Sequence, residues 1–223
     1  ALIDRHLWHG RLGCYTDYDH ARGRQGRVIS CAALFPLWAG CASREQAAGV
    51  VRAMRQRLEF AHGLAACAEG PRAYRCQWDH PNAWPPLQCI AVRALDRYGH
   101  RQDARRIAEK YIRTVARAFA RTGLLWEKYN ALDGTTRVRD EYPMPPMVGW
   151  TAGTFVFCLR YLGRLRPPSP AGPGLTRRDP PPPARAPRSR GRPAPAPAAA
   201  TPAGRPAPPP ASPPAPRRRP GGR

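Results

Sequence analysis

Apolar residues in the part of the chain from 43 to 165 recur mostly at helical spacing. Ser43 and Gln46 stand three residues apart at the start of the first such stretch, which is the capping-box pattern. Helices are predicted at 43–60, 87–98, 102–121 and 148–165. Gly99 and Gly123 follow two of these stretches and can adopt the left-handed turn that ends a helix. No stretch alternates apolar and polar residues for long, so the folded part is predicted to be all-α.

Two stretches near the start of the chain have a different character. Residues 28–40 are apolar and carry little charge, which predicts a helix that is buried on most of its sides or that lies on the inside of a larger structure. Residues 4–27 are polar and punctuated by glycine, which predicts a loop. Within this loop, Asp17, Tyr18 and Asp19 fit either a solvated turn or the rim of a pocket.

The stretch 43–60 has an apolar face that fits the outer layer of a larger helical structure. Arg52, Arg55 and Glu59 fall largely on the opposite face. We interpret these charges as a solvated face rather than a binding patch.

Residues 77–86 read QWDHPNAWPP and combine two indoles, a carboxylate, two amides and three prolines. Proline fixes φ and is tolerated in the first turn of a helix, so we predict a stiff polar loop that leads into a helix near Pro85 or Pro86. Flat aromatic rings can stack on sugar C–H surfaces, and Asp, Asn and Gln can bond to hydroxyl groups. The loop therefore fits a sugar site, and it fits equally well a buried structural loop whose tryptophans belong to the core.

The block at 77–86 closely resembles a signature of the trehalase family (glycoside hydrolase family 37), whose usual form is Q-W-D-x-P-N-G-W-A-P. Three further blocks follow the family in the same order: YTDYD at 15–19 with AALFPLWAG at 32–40, WEKYN at 126–130, and EY at 141–142 with GWTAG at 149–153. The resemblance extends from about residue 1 to residue 165. Ala83 and Pro85 depart from the signature. Residues 135–140 are poor in glycine where the family commonly has a glycine-rich run.

The resemblance implies the (α/α)6 toroid of the six-hairpin glycosidases, in which inner helices are ringed by outer ones. The alternation of very apolar and amphipathic stretches fits that arrangement. Residues 1–165 hold about five predicted helices where a closed toroid needs twelve. We therefore expect residues 1–165 to be a C-terminal part of a catalytic domain. The alternative is a complete small helical domain.

The resemblance also implies an activity, the hydrolysis of α,α-trehalose to two glucose molecules with inversion of configuration. The family's general base maps onto Glu127. Its general acid is an aspartate in a block that no stretch of this chain resembles, so the chain is expected to be inactive alone. Taken without the family, Glu127 is a glutamate beside Lys128, and a surface ion pair is the simpler interpretation.

The family's substrate-contacting glutamate maps onto Glu141. The other residues expected to shape the sugar-binding wall are Gln77, Trp78, Asp79, Asn82, Trp84 and Trp150. For Trp84 and Trp150, a packing role fits nearly as well as a substrate contact. Two carboxyl groups and water suffice for the reaction, so no cofactor or metal is expected.

Residues 166–223 differ in composition from the rest of the chain. They hold 12 arginines and one aspartate, which is half of the +22 net charge, and 21 of the 29 prolines. A segment with so few large apolar residues cannot offset the entropy cost of ordering, so we predict a disordered tail. Its arginines could bind anions or nucleic acid without specificity, but it lacks aromatic residues for stacking on bases.

Seven cysteines without C-x-x-C spacing are predicted to be buried free thiols. No apolar run is long enough for a transmembrane helix. A monomer is favoured, no specific nucleic-acid partner is expected, and a cytoplasmic or a periplasmic location stays open. A sugar-binding remnant without turnover is the alternative to an enzyme.

Overall fold

A computed structural model of the chain describes residues 2–70, 76–138, 141–146 and 149–165. The predicted disordered tail and the domain boundary at residue 166 lie outside these ranges. The described α-helices are α1 (Leu2–Leu7), α2 (Phe35–Ala39), α3 (Arg44–Arg57), α4 (Pro85–Arg97), α5 (Arg101–Thr122) and α6 (Gly149–Tyr161). Within the described ranges, no helix combines the length and apolarity that crossing a membrane requires.

Local sequence signals set the ends of the longer helices. The backbone N–H of Gln46 donates to Ser43 Oγ (3.1 Å), and the backbone N–H of Ser43 donates to Gln46 Oε1 (2.8 Å), so the predicted capping box is present. Helix α4 begins at Pro85, as predicted. Gly123 ends α5 with φ at +69°, a conformation that favours glycine. These helix predictions are confirmed within one to three residues at most ends.

The core lies where α4 packs against α2, α5 and α6. Its fully buried side chains come from all of these elements and include Leu34, Leu37, Ala91, Leu95, Ile107, Ala108 and Cys158. Alanines at several contact positions of α4 and α5 allow close approach of the two helices, and dense packing of this kind is typical of protein interiors. The apolar faces of α2, α4, α5 and α6 therefore point to one shared centre.

The predicted long helix at 28–40 is wrong. A 3-10 helix at Cys31–Leu34 is followed by the short helix α2, which Gly40 ends with φ at +79°. Leu34 and Leu37 are fully buried, whereas Phe35 and Trp38 are 42% and 41% exposed. The run is thus buried on one side, and its apolar character alone did not reveal the exposed side.

The predicted loop at 4–27 is also partly wrong, because it contains helix α1 and two small antiparallel hairpins. The described strands, each two residues long, are β1 (Trp8–His9), β2 (Cys14–Tyr15), β3 (Tyr18–Asp19), β4 (Arg24–Gln25), β5 (Glu59–Phe60), β6 (Gly63–Leu64), β7 (Asn82–Ala83) and β8 (Tyr129–Asn130). They pair as β1–β2, β3–β4, β5–β6 and β7–β8. The fold class stays helical because these strands are short.

The charged face of α3 is not simply solvated, as the sequence suggested. Arg55 donates to both carboxylate oxygens of Asp103 on α5, at 2.8 and 2.6 Å. Glu59 accepts from Arg106 at 2.7 and 2.9 Å and from Lys110 at 2.7 Å. Sequence periodicity placed Arg55 on the polar face of α3 correctly, whereas Glu59 lies beyond the end of α3, in strand β5. The periodicity could not show that α5 supplies partners for both residues.

Asp103 is the buried member of this network, with 2% of its side chain exposed. Burial opposes its ionisation, but hydrogen bonds from Arg55 and Arg106 outweigh burial and hold the pKa of Asp103 below its usual value. A lowered pKa means that the ionised network stabilises the fold above about pH 4, the unfolded value for Asp. This contribution is lost as pH falls further, through the folded pKa.

We expect Asp103→Asn to lower the free energy of unfolding by about 2 kcal/mol at pH 7, since it removes charge-assisted hydrogen bonds from two arginines. The loss should shrink below about pH 4, where Asp103 itself becomes protonated. Urea unfolding followed by circular dichroism at pH 7 and pH 3 measures both effects.

Glu109→Gln is the matched control, because Glu109 pairs with Arg164 at 3.8 Å and its side chain is 35% exposed. We expect it to change stability by less than about 1 kcal/mol. Equal losses for the two variants at pH 7 would contradict the assigned role of Asp103.

Candidate functional site

Pairing of β7 with β8 brings two distant loops together. Asn82 lies opposite Asn130, and Ala83 lies opposite Tyr129, in antiparallel register. Strand β7 lies within the 77–86 loop, and Glu127 lies two residues before β8. Residues about 45 positions apart in the sequence therefore form one site.

Polar groups of the 77–86 loop shape the loop itself. Asp79 Oδ2 accepts from the backbone N–H of Cys76 at 2.9 Å. The backbone carbonyl of Gln77 accepts from Asn82 Nδ2 and from Trp84 Nε1, both at 2.9 Å. Asp79, Asn82 and Trp84 thus hold the loop in a fixed conformation. These contacts fit the interpretation of residues 77–86 as a structural loop, which the sequence left open beside a sugar site.

Three tryptophans form a connected group. The rings of Trp78 and Trp84 stack with centroids 4.0 Å apart and planes 10° apart. Trp150 meets Trp84 edge-on, at 5.4 Å and 84°. Trp84 is 1% exposed, whereas Trp78 and Trp150 are 45% and 38% exposed. Trp84 is therefore a core residue, and Trp78 and Trp150 keep surface available for a ligand.

Glu127 lies at the centre of a buried polar cluster. Lys128 Nζ donates to Glu127 Oε2 at 2.7 Å, and the side chain of Lys128 is fully buried. The Tyr142 hydroxyl lies 2.5 Å from Glu127 Oε2 and 2.8 Å from Gln77 Oε1. It carries one proton, and the carboxylate is the stronger acceptor. The interpretation of Glu127 as half of an exposed ion pair is wrong, because Glu127 is buried and Lys128 is completely so.

Burial raises the pKa of Tyr142, and its hydrogen bond to Glu127 raises it further. The hydroxyl therefore stays protonated near neutral pH and can act as a hydrogen-bond donor to the carboxylate. Lys128 Nζ also donates to the Tyr142 oxygen, at 3.1 Å. The sequence analysis assigned no role to Tyr142. Its position beside Glu141, in the second half of the motif, was the available signal.

Glu141 joins the same region through Gln77, whose backbone N–H donates to Glu141 Oε2 at 3.3 Å. The structure thus brings together Gln77, Glu127 and Glu141, and the tryptophan group adjoins them through Lys128, which lies over the Trp84 ring. No contact between Asp79 and Glu127 is seen in the described residues.

An open cavity of about 610 Å³ lies beside this cluster rather than around Glu127. Its lining residues include Asp17, Phe35, Glu69, Trp78, Asp79 and His80. Trp78 and Asp79 belong to its wall, whereas Glu127 and Glu141 do not. Of the two interpretations of residues 17–19, the pocket rim holds for Asp17. Asp19 instead bonds Arg22 across the β3–β4 hairpin.

The cysteines fit their prediction in part. Cys14, Cys31 and Cys158 are buried free thiols, and burial raises the pKa of Cys31 and of Cys158 to about 12. Cys41 is exposed, which corrects the prediction, and Cys67, Cys76 and Cys89 are partly exposed. In the part of the chain that the structure describes, no three His, Cys, Asp or Glu side chains group closely enough to hold a metal ion.

A family model described as trehalase matches residues 1–163. The chain belongs to the trehalase family. It is 39% identical over 174 residues to a periplasmic trehalase of Xanthomonas oryzae pv. oryzae, covering 76% of this chain and 29% of that protein. It is 38% identical over 163 residues to a periplasmic trehalase of Pseudomonas aeruginosa, covering 72% of this chain and 29% of that one.

Solved structures extend the family match to the fold. Neutral trehalase from Saccharomyces cerevisiae superimposes with a TM-score of 0.62 at 32% identity, covering 71% of this chain and 28% of that one. A GH63 mannosylglycerate hydrolase from Thermus thermophilus, in complex with glucose, gives a TM-score of 0.53 at 20% identity over 70% and 36% of the two chains. This trehalase-family chain therefore has the fold type of the (α/α)6 toroids, and it spans less than a third of these curated relatives' length.

We expect Trp84→Phe to lower the free energy of unfolding by about 2 kcal/mol. The change removes the indole N–H donor to the Gln77 carbonyl and leaves a smaller ring between Trp78 and Trp150. Trp38→Phe is the control, because Trp38 is 41% exposed and should lose less than about 0.5 kcal/mol. Urea unfolding followed by circular dichroism compares the two, and similar losses would argue against a central packing role for Trp84.

Proposed function

We propose that this chain is part of an α,α-trehalase that hydrolyses trehalose to two glucose molecules with inversion, and that Glu127 is its general base. Membership of the trehalase family supports the substrate and the reaction. The observation that carries the role of Glu127 is the hydrogen bonding of its carboxylate. Both hydrogen bonds fall on Oε2, which leaves Oε1 without a donor among the described residues.

That arrangement suits a base. A carboxylate that activates water must be ionised and must keep one oxygen open toward the water. In the proposed reaction, Oε1 of Glu127 takes a proton from water as the water oxygen bonds to the anomeric carbon. The glycosidic C–O bond breaks, and a general acid gives its proton to the departing oxygen. The two carboxyl groups are about 6.5–9.5 Å apart in inverting enzymes, which leaves room for the water.

The proposed sugar-binding wall consists of Gln77, Trp78, Asp79, Asn82, Trp84, Glu141 and Trp150. Their contributions differ in kind. Trp78 and Trp150 expose ring surface that can stack on a pyranose, and Glu141 offers a carboxylate to hydroxyl groups. Buried Trp84 and Asn82 support the wall from behind, and Gln77 connects it to Tyr142.

We infer that the general acid belongs to a part of the protein outside these 223 residues, so that this chain alone does not release glucose. The chain spans less than a third of the length of its curated relatives, which supports this inference. Catalysis by inversion fails when either carboxyl group is missing.

We expect a chain extended upstream to the length of those relatives to release glucose from trehalose, and the 223-residue chain to release none. Glu127→Gln in the extended chain should lower kcat by at least about 100-fold, the usual contribution of a general base. A coupled glucose assay on purified, folded proteins measures both expectations.

Glu109→Gln is the control for that experiment, since Glu109 lies on α5, pairs with Arg164 and is not a residue of the proposed site. Its kcat should equal that of the unmodified extended chain. An extended chain that folds, binds trehalose and releases no glucose would favour the sugar-binding remnant. Glucose release by the 223-residue chain would contradict the inferred location of the acid.

The stereochemistry of the products tests inversion separately. Attack on one anomeric carbon of α,α-trehalose with inversion yields one β-glucose, and the departing glucose keeps the α configuration. Proton NMR of the first minutes of reaction should therefore show the two anomers in equal amounts. Two α-glucose molecules at early times would indicate retention and would contradict the role of Glu127 as base.

A further inference from the structure

Lys128 is held in an unusual position for a lysine. Its side chain is fully buried, and its ammonium nitrogen lies 4.5 Å from the centroid of the Trp84 ring and 4.6 Å from that of the Tyr142 ring. Aromatic faces attract a cation at these distances. A buried charge is tolerated when it is paired and hydrogen-bonded. Lys128 is thus fixed on three sides, by two rings and by the Glu127 carboxylate.

The contacts of Glu127 are one-sided as a result. Lys128 Nζ and the Tyr142 hydroxyl both meet Oε2, at 2.7 and 2.5 Å. Tyr142 in turn meets Gln77 of the other loop. The carboxylate cannot rotate without breaking both contacts, so they fix its orientation. We call the Trp84 ring, the Tyr142 ring and the Glu127 carboxylate around Lys128 the lysine cage.

We propose that Lys128 is a positioning residue for catalysis, whose caged ammonium holds Oε2 of Glu127 and so aims Oε1 at the water. The proposal rests on the proposed role of Glu127 as base. It assigns to Lys128 an effect on turnover without contact with the substrate. Correct aim matters because a displacement of about 1 Å in a reacting group can cost about 100-fold in rate.

The chain offers a matched control for this proposal. Its two lysines, Lys110 and Lys128, each donate to a glutamate at 2.7 Å. Lys110 pairs with Glu59, which belongs to the network between α3 and α5 and lies outside the proposed site. Lys→Met at either position removes one buried or half-buried ion pair, so loss of stability alone affects both variants.

The test compares Lys128→Met with Lys110→Met in the extended chain. For Lys128→Met we expect kcat to fall by about 100-fold while KM stays within about twofold, since the lost contact orients the base and not the sugar. For Lys110→Met we expect kcat and KM to stay within about twofold, since its ion pair with Glu59 includes no residue of the proposed site.

If Lys128→Met does not fold, Lys128→Gln takes its place, because glutamine removes the charge and keeps a hydrogen-bond donor in the cage. Lys128→Arg adds a rescue arm: it keeps the charge and a hydrogen-bond donor, and its kcat should exceed that of Lys128→Met. Equal kcat values for the Lys128 and Lys110 variants would overturn the proposal.

A second measurement separates this proposal from the trehalase assignment. The 223-residue chain contains six glutamates, so carbon-13 labelling of their carboxyl groups gives six signals, and Glu127→Gln assigns one of them. At neutral pH the Glu127 signal in Lys128→Met should differ in chemical shift from that in the unmodified chain, because the carboxylate loses its cationic hydrogen-bond donor. Lys110→Met should change the chemical shift of the Glu59 signal and leave that of Glu127 unchanged.

The two measurements fail independently. A Glu127 carboxyl signal that is the same with and without Lys128 would overturn the positioning role, whatever the activity of the extended chain. An unmodified extended chain that releases no glucose, with a Glu127 signal that depends on Lys128, would overturn the proposed function and leave the contact between Lys128 and Glu127 established.

Discussion

Trp84 contacts Gln77, Trp78, Lys128 and Trp150, and the arrangement of the site depends on its burial. Its ring packs against Trp78 on one face and against the edge of Trp150, its indole N–H bonds to the Gln77 carbonyl, and the ammonium of Lys128 lies over its π-system. One large side chain therefore links the 77–86 loop, the Glu127 loop and helix α6. An indole suits this task because it combines a wide apolar surface with a single donor that needs a partner when buried.

The same residue also explains how a buried lysine is tolerated. Placing an ammonium in a core costs several kcal/mol unless charge and hydrogen bonds offset the lost hydration. Glu127 supplies the opposite charge, Tyr142 supplies an acceptor, and the two rings supply electrostatic attraction. A second network also pairs buried carboxylates with cations, but most of its cations stay partly exposed to solvent. Its members are Arg55, Glu59, Asp103, Arg106 and Lys110. Charge thus serves two purposes in this fold: it joins two helices at the surface and orients a carboxylate inside.

Sequence and structure agree best where the physics is local. A capping box, a proline at the first turn and a glycine with positive φ act within a few residues, and α3, α4 and α5 begin and end close to their predicted positions. Agreement is poorer at 28–40, where the number of buried sides depends on neighbours that the run does not encode. It is also poorer at 4–27, where two-residue strands leave no periodic pattern to detect.

The order of motifs along the chain was enough to identify the family, the fold type and Glu127 as the candidate base, because those blocks preserve residue identity at fixed spacing. Tertiary structure decided what the individual side chains do. Pairing of β7 with β8 joined loops that are distant in sequence. The ion pair of Glu127 and Lys128, which the sequence suggested lies at the surface, is buried. Burial also divided the tryptophans into one core residue and two partly exposed rings. Burial and orientation arise from contacts between segments far apart in the chain, and neither residue type nor spacing contains that information.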